Sequence, residues 1–489
     1  MLILSVLFPV LLGLLVLLKR EFPSRTALLT VTGAGLTVTA LLALAAVFGP
    51  ERDLFLFSFG KNLDLYFHVD DLGRLFALVV NVVWVLTGFY AFEYMKHERE
   101  ETRFFGFYVM VHGILNGLVF SGNMVTFYLF YELMTLLSVP LILHNRSKDA
   151  IKGGLKYLFY SLFGAYMVLF GLFFLNRYAD SLAFLPGGTL NMGAVAGKED
   201  LMLVVAFSMI LGFSVKAGMF PLHAWLPTAH PVAPAPASAV MSGIIVKMGV
   251  LGMIRVAYYL VGADFLRGTW VQTAWMTLSL ITVFMGSMLA YREKVMKKRL
   301  AYSTVSQASY ILFGLSLLQP AAMTGALLHV VFHAVIKSCL FLSAGAIIYK
   351  TGKTMVADLR GIGKEMPVTI WCYTFAAAAL IGIPPASGFI SKWYLATGAL
   401  DSGIEVYSWL GPVVLLTSAL LTAGYLLPIT VSGFLPGADF AYDKLEKTEP
   451  KLTMLLPLLL LAAAAVLLGV FPNPLTGYIT QIVNTVIGG

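Results

Sequence analysis

Apolar runs of about 20 residues follow one another along almost the whole chain, separated by short charged or Gly/Pro-containing stretches. A helical run of that length matches the hydrocarbon thickness of a bilayer. In lipid, every backbone N–H and C=O must be satisfied within the segment, which leaves helices as the natural reading. Fourteen spans are expected, near 1–18, 26–48, 72–93, 104–120, 123–143, 155–175, 201–229, 235–260, 269–290, 301–318, 321–349, 367–398, 407–432 and 453–472. The expected fold class is therefore all-α integral membrane, with one multi-pass domain over 1–489. Charged residues make up 12% of the 489 residues, too few to solvate a soluble surface of that size, and mean hydropathy is +0.85. Met1-Leu2-Ile3-Leu4 is apolar at once, and Lys19 and Arg20 follow the apolar run rather than precede it. The first run thus reads as a transmembrane helix and not as a cleaved signal peptide. Cys339 and Cys372 each sit inside an apolar run and read as small buried residues.

The net charge of +8 is a matter of distribution and not a sign of nucleic-acid binding. Most interhelical Lys and Arg fall in the loops after spans 1, 3, 5, 7, 9, 11 and 13. Positive residues mark the cytoplasmic side, so both termini are expected to face outward from a prokaryotic cell membrane. Spans 7 and 12 are too long and contain breakers: Lys216-Ala217-Gly218-Met219-Phe220-Pro221 in one, Gly382-Ile383-Pro384-Pro385 in the other. Proline removes a backbone donor and clashes with the preceding turn, so both helices should break. Broken spans at matching places in two halves are the mark of inverted repeats. The expected organisation is N-terminal helices over 1–103, a first five-helix repeat over 104–260, an inverted second repeat over 269–432 and a last helix over 453–472.

A charge at mid-bilayer costs roughly 2.5–3.5 kcal/mol on insertion scales, so such residues are functional candidates by default. Five sites stand out. Glu132 is the one acidic residue deep in a span, and Lys216 lies just before the break of span 7. Lys247 sits in the middle of span 8, Lys337 in span 11 with His329 and His333, and Lys392 after the break of span 12. His329, His333 and Lys337 are spaced i, i+4, i+8, which puts them on one face and spreads them over roughly 12 Å of axis. Histidine titrates near neutral pH and burial brings lysine toward it, so this ladder can take up and release protons. Glu132 and Lys216 are expected to pair, and opening that pair would switch the acidity of the lysine. Metal binding at the histidines is not expected, because no Glu or Cys lies nearby in span 11.

Weaker signals lie at the edges. His223 and His230 are candidates for proton entry from the cytoplasmic side, weighed evenly against interfacial histidines in a tight turn. Lys156 is a further entry candidate, set against a role as a positive-inside anchor. Asp70 and Asp71 read as helix caps. Arg74 and Arg255 read as snorkelling side chains. No phosphate loop, dinucleotide fingerprint, cysteine cluster or haem pattern is present in the sequence, so no cofactor is expected and the driving reaction is expected in another protein or an ion gradient.

Four stretches carry a family resemblance: Phe127-Tyr128-Leu129-Phe130-Tyr131-Glu132; Lys216 through Pro221-Leu222-His223-Ala224-Trp225-Leu226-Pro227 to Lys247; Leu300-Ala301-Tyr302-Ser303-Thr304-Val305-Ser306-Gln307; and Gly382-Ile383-Pro384-Pro385 with Lys392. With these the chain resembles the antiporter-like subunits shared by respiratory complex I, Mrp-type sodium/proton antiporters and membrane-bound energy-converting hydrogenases. The resemblance implies fourteen helices, two inverted five-helix repeats and a polar axis parallel to the membrane. It gives Glu132 the role of the helix 5 glutamate, Lys216 that of its lysine partner and Lys247 that of the central lysine. It makes His329, His333 and Lys337 a relay and Lys392 the terminal residue, where lysine resembles the Mrp type and several hydrogenase-type subunits. No long lateral helix follows span 14 before Gly489, which argues against the distal complex I subunit and the largest Mrp subunit. The partners implied are homologous antiporter-like and small membrane subunits, with a hydrogenase or a quinone- or ferredoxin-linked peripheral arm as a further candidate. The transported ion is the proton, with Na⁺ an open question for the whole complex. On this reading the chain is a non-redox subunit of an oxidoreductase complex or of an antiporter. The alternatives are a stand-alone Na⁺ or solute transporter and a non-conducting scaffold.

Overall fold

Eleven helices among the described residues are long and apolar enough to cross a membrane. The structure is a computed structural model and describes every residue except 20, 51, 52, 61, 442–445 and 488–489; Arg20 and Gly489 thus lie outside the described residues. In chain order the main elements are α1 Leu2–Lys19, α2 Arg25–Val47, β1 Asp53–Ser58, β2 Asp64–His68, α3 Asp71–Tyr94, α4 Glu101–Val119, α5 Met124–Ile142 and α6 Lys148–Tyr178. Then come α7 Glu199–Ala217, α8 Leu226–Val232, α9 Ala235–Leu260, α10 Trp270–Arg292, α11 Met296–Ser316 and α12 Pro320–Thr351. The chain continues with α13 Pro367–Ile381, α14 Ser387–Leu400, α15 Glu405–Phe434, α16 Leu452–Val470 and α17 Asn473–Ile487. Three expected spans fall outside the eleven: the broken span 12, split between the shorter α13 and α14, and also α4 and α11. The apolar character of the last two is diluted by buried polar residues such as His112 and Asn116 in α4 and Ser303, Ser306 and Gln307 in α11.

Helix starts follow their capping residues. Ser24, Asp70, Asn123 and Ser147 accept hydrogen bonds from the amides of Ala27, Gly73, Thr126 and Ala150, each three residues on. Asp70 thus caps α3 as expected. Two elements went unforeseen. β1 and β2 form an antiparallel hairpin, an exception to the all-α expectation, and the fifteen-residue α17 follows the last expected span and packs on α12.

Burial sorts centre from edge. The most apolar window of α9 is 100% buried and that of α12 is 94% buried, against 28% for α1 and 33% for α15 and α16. A helix that is apolar all round and fully buried is a core helix. α12 is the hub, packing against α3, α9, α11, α13, α14, α16 and α17.

Both expected breaks are present, and they are built alike. α7 stops at Gly218 (φ +79°), where the amides of Gly218 and Met219 both donate to Ser214 O. α13 stops at Gly382 (φ +95°), where the amides of Gly382 and Ile383 both donate to Ala378 O. A left-handed residue closing the last turn in this way favours glycine, which lacks a Cβ. Carbonyls released at each break are taken up by side chains: the Trp225 indole donates to Val215 O at 2.7 Å, and Lys392 donates to Leu380 O and Ile381 O at 2.6 and 3.0 Å.

Candidate functional site: a buried row of lysines and histidines

α12 carries His329, His333 and Lys337 on one face, and all three side chains are buried. The two imidazoles lie nearly parallel, 5.7 Å between centroids. Lys247 reaches them from α9: its ammonium donates to His333 Nδ1 and to Ser242 O, each at 2.6 Å. Ser242 lies in a π-helical turn, Met241–Ile245, one turn before the lysine. With Lys247 charged, its ammonium can only donate, and a neutral His333 then accepts through Nδ1 and carries its own hydrogen on Nε2. A proton passed to Nδ1 therefore frees the Nε2 proton to move onward.

On the far side of the histidines, His329 Nδ1 meets Ser391 Oγ at 2.9 Å, and Tyr310 lies flat against its ring at 5.6 Å. Lys392, next to Ser391, sits over the same tyrosine at 5.0 Å. Its two carbonyl acceptors are the C-terminal end of α13, where the helix dipole favours a cation. The structure thus brings Lys247, His333, His329 and Lys392 into one chain of contacts. Lys337 stands slightly apart, donating to Leu300 O at 2.9 Å and to the Ser303 hydroxyl of α11.

The other end of the row differs from expectation. Lys216 is fully buried, but its ammonium donates to Tyr157 Oη at 2.6 Å and Ser161 Oγ at 2.8 Å, both on α6. Among the described residues it makes no ion pair within 4 Å, so the expected Glu132–Lys216 pair is not closed by direct contact in this structure, although the two groups are near enough to act on each other electrostatically. Helix geometry gives the reason. Glu132 lies on the stripe of α5 that also carries Leu129 and Leu136, 40% and 52% exposed, while Lys216 faces α6. Glu132 is half-buried, and its Oε1 is buried without a hydrogen-bond partner.

Of the entry candidates, His230 is the most deeply buried in the protein. Its ring is fully buried between Phe341 of α12 (4.9 Å) and Trp225 (6.4 Å), with neither nitrogen hydrogen-bonded. Trp225 in turn packs on Tyr157, so His230 stands between the Lys216 and Lys337 ends of the row. His223 is half-buried and stacks on Phe220. Lys156 donates to Thr228 Oγ1 at 3.1 Å, close to the same segment.

Sequence reasoning missed the hydroxyls that hold the row: Tyr157, Ser161, Ser303, Tyr310 and Ser391. It also misread Arg255, which does not snorkel. Arg255 is 2% exposed, donates to Asp70 through Nη1 and Nη2 at 2.5 and 2.8 Å, and lies 4.6 Å from the rings of Phe184 and Tyr259. Arg74 bonds Asp71 and Gly49 O. A second buried polar set, His112 with Asn81 and Asn116, joins α3 to α4 away from the row.

The row depends on close helix approach. A Cβ on Gly249 would fall 2.6 Å from Phe213 O and 2.8 Å from Lys216 Cβ. Gly249→Val is therefore expected to push α9 off α7 and destabilise the fold by roughly 1–3 kcal/mol. Thermal unfolding in detergent checks this, and an unchanged midpoint would count against the packing argument.

Residues 121–422 match the family model for the membrane region of NADH:quinone oxidoreductase and Mrp antiporters. Residues 56–105 match that for the N-terminus of complex I chain 5. The chain is 31% identical over 394 residues to NADH-quinone oxidoreductase subunit N of Desulforudis audaxviator, covering 78% of this chain and 77% of that protein. It is 32% identical to hydrogenase-4 component B of Escherichia coli, covering 86% of this chain but 64% of that longer protein. With a Na(+)/H(+) antiporter subunit of Alkalihalophilus pseudofirmus identity is 28%, over 86% and 83% of the two chains. A chain of the Mrp complex from Dietzia sp. DQ12-45-1b shares the fold with a TM-score of 0.86 at 22% identity, covering 99% of this chain and 97% of that one. The length of the family match, with the buried row inside it, places this multi-pass membrane protein in the NADH:quinone oxidoreductase/Mrp antiporter family.

Proposed function

We propose that this chain is a proton-translocating, antiporter-like subunit of a larger ion-pumping membrane complex, and that protons move along a row made of Glu132, Lys216, Lys337, Lys247, His333, His329 and Lys392. The observation that carries the reading is the contact series from Lys247 through His333 and His329 to Ser391 and Lys392. Lysines flank the two stacked histidines there, and the Ser391 hydroxyl joins His329 to the helix turn that carries Lys392. His230 lies between Lys216 and Lys337 and is the best placed of the entry candidates, ahead of His223 and Lys156.

The two ends support a place within an assembly. Glu132 sits on the outward stripe of α5, and Lys392 is half-buried beside Trp393, which is 59% exposed. Ionisable groups at the lipid boundary call for cover, which neighbouring membrane subunits of an Mrp-, hydrogenase- or complex I-like assembly would supply. The identical stops at Gly218 and Gly382 support two inverted five-helix repeats over 104–260 and 269–432 within a fourteen-span chain. The loop charges favour an orientation with both termini outside, in what we take to be a prokaryotic cell membrane. Sodium is the weaker cargo for the row itself, because every buried ionisable group along it except Glu132 is basic or neutral.

The test is proton uptake by the complex reconstituted in vesicles. Glu132→Ala is expected to stop uptake while leaving the subunit assembled. Undiminished uptake in an assembled Glu132→Ala complex would favour the non-conducting scaffold instead.

A further inference from the structure

Three helix ends meet on the side of the molecule that holds the basic loops. α3 runs out at Tyr94 into a turn over Met95–His97, α12 carries Tyr349 and Lys350 in its last turn, and α16 starts after Lys451. The three helices pack pairwise. Between their ends is a recess of about 280 Å³ lined by Glu93, Lys96, His97, Tyr349, Lys350 and Lys451.

The charge in the recess is unbalanced. Glu93 is already engaged: it accepts the Tyr349 hydroxyl at 3.1 Å and pairs with Lys451 at 3.4 Å. The His97 ring lies flat on Tyr349, 4.5 Å between centroids, and forms a fixed wall. Among the described residues, neither Lys96 nor Lys350 has a carboxylate within 4 Å, whereas Lys298 and Lys353 nearby in the fold's basic loops are paired. Three ammonium groups thus face one carboxylate that is already spent.

Directly on the bilayer side the surface turns apolar. Phe89 and Val82, at seven-residue steps before Lys96, are 38% and 50% exposed; Leu452 and Leu456, just after Lys451, are 68% and 49% exposed. A basic recess at a helix end above an apolar wall has the layout of a phospholipid: phosphate above, acyl chains below. We propose that this recess binds the phosphate of an anionic phospholipid headgroup, with Lys96 and Lys350 as its main contacts and the acyl chains along α3 and α16. A bound lipid would tie the end of α12, the helix that carries the histidines, to α3 and α16.

The full chain is purified in detergent, depleted of lipid, and offered phosphatidylglycerol or phosphatidylcholine in mixed micelles. Lipid retention is read by native mass spectrometry and stabilisation by thermal unfolding. Wild type is expected to retain phosphatidylglycerol over phosphatidylcholine, and Lys96→Gln/Lys350→Gln to lower that retention on the order of tenfold. Should the double variant misfold, Glu93→Gln gives the answer from the other direction: removing the competing carboxylate should raise phosphatidylglycerol retention. Equal retention in wild type and both variants overturns the proposal. Full stabilisation by inorganic phosphate alone also overturns it, by making the recess a site for a free anion. Stabilisation by an acidic peptide with no lipid preference would do the same in favour of a protein partner.

Discussion

Lys247→Met is expected to lower proton translocation by about two orders of magnitude, the range that loss of a positioned proton-transfer group produces. Among the described residues the lysine makes the one side-chain hydrogen bond from α9 to the histidine face of α12, its 2.6 Å contact with His333. Methionine keeps the length of the side chain and removes the ammonium. It also leaves His333 Nδ1 and Ser242 O buried without their donor, at a cost of roughly 1–3 kcal/mol each. Lost transport in this variant alone would therefore be open to a folding explanation. Lys247→Arg separates the two. Arginine keeps the positive charge and the donors but does not release a proton in the working pH range. A proton carrier at this position predicts that the arginine variant assembles and is inactive. Proton uptake near the wild-type rate in Lys247→Arg would remove Lys247 from the path.

The largest expected effect on stability lies elsewhere. Asp70→Ala should destabilise the fold by roughly 3–5 kcal/mol, because it strands a guanidinium that is 2% exposed. Loss of the α3 cap, the 2.8 Å bond from the Gly73 amide, adds about 1 kcal/mol. Replacing the whole pair with apolar residues is a different matter, since a buried ion pair holds little net stability over well-packed hydrophobes. Asp70→Ala combined with Arg255→Leu is thus expected to recover much of the loss. Unfolding midpoints of the two single variants and the double variant in one detergent measure the coupling. Additive losses would mean that the two side chains do not depend on each other.

These two sites differ in how far the sequence could disclose them. Lys247 is conspicuous because a charge surrounded by apolar residues has few innocent explanations, and the four-residue spacing of His329, His333 and Lys337 fixes their common face by helix geometry alone. The breaks at Gly218 and Gly382 were legible for a similar reason: glycine and proline act on the backbone locally. Asp70 and Arg255 are 185 residues apart, and each is innocuous in its own neighbourhood, one a cap and the other near a helix end. Their union is a tertiary fact. Lys216 shows the same limit at closer range. A lysine stem reaches several directions, and whether it finds Glu132 or Tyr157 and Ser161 depends on helix rotations that local pattern leaves open. The β1–β2 hairpin was hidden by its setting, a stretch too short to cross a bilayer, between two spans, whose run of Leu and Phe lacks the clean alternation that marks a strand.

The stop of α13 has a property that an ordinary helix end lacks. Helix ends are usually closed by backbone amides, whose hydrogens never leave. Here two of the last carbonyls are closed by the Lys392 ammonium. The geometry of that stop is therefore tied to an ionisable group, and protonation and backbone shape are written in the same few atoms. A change of charge at Lys392 is felt first as a change in how firmly α13 ends, before any neighbour has moved.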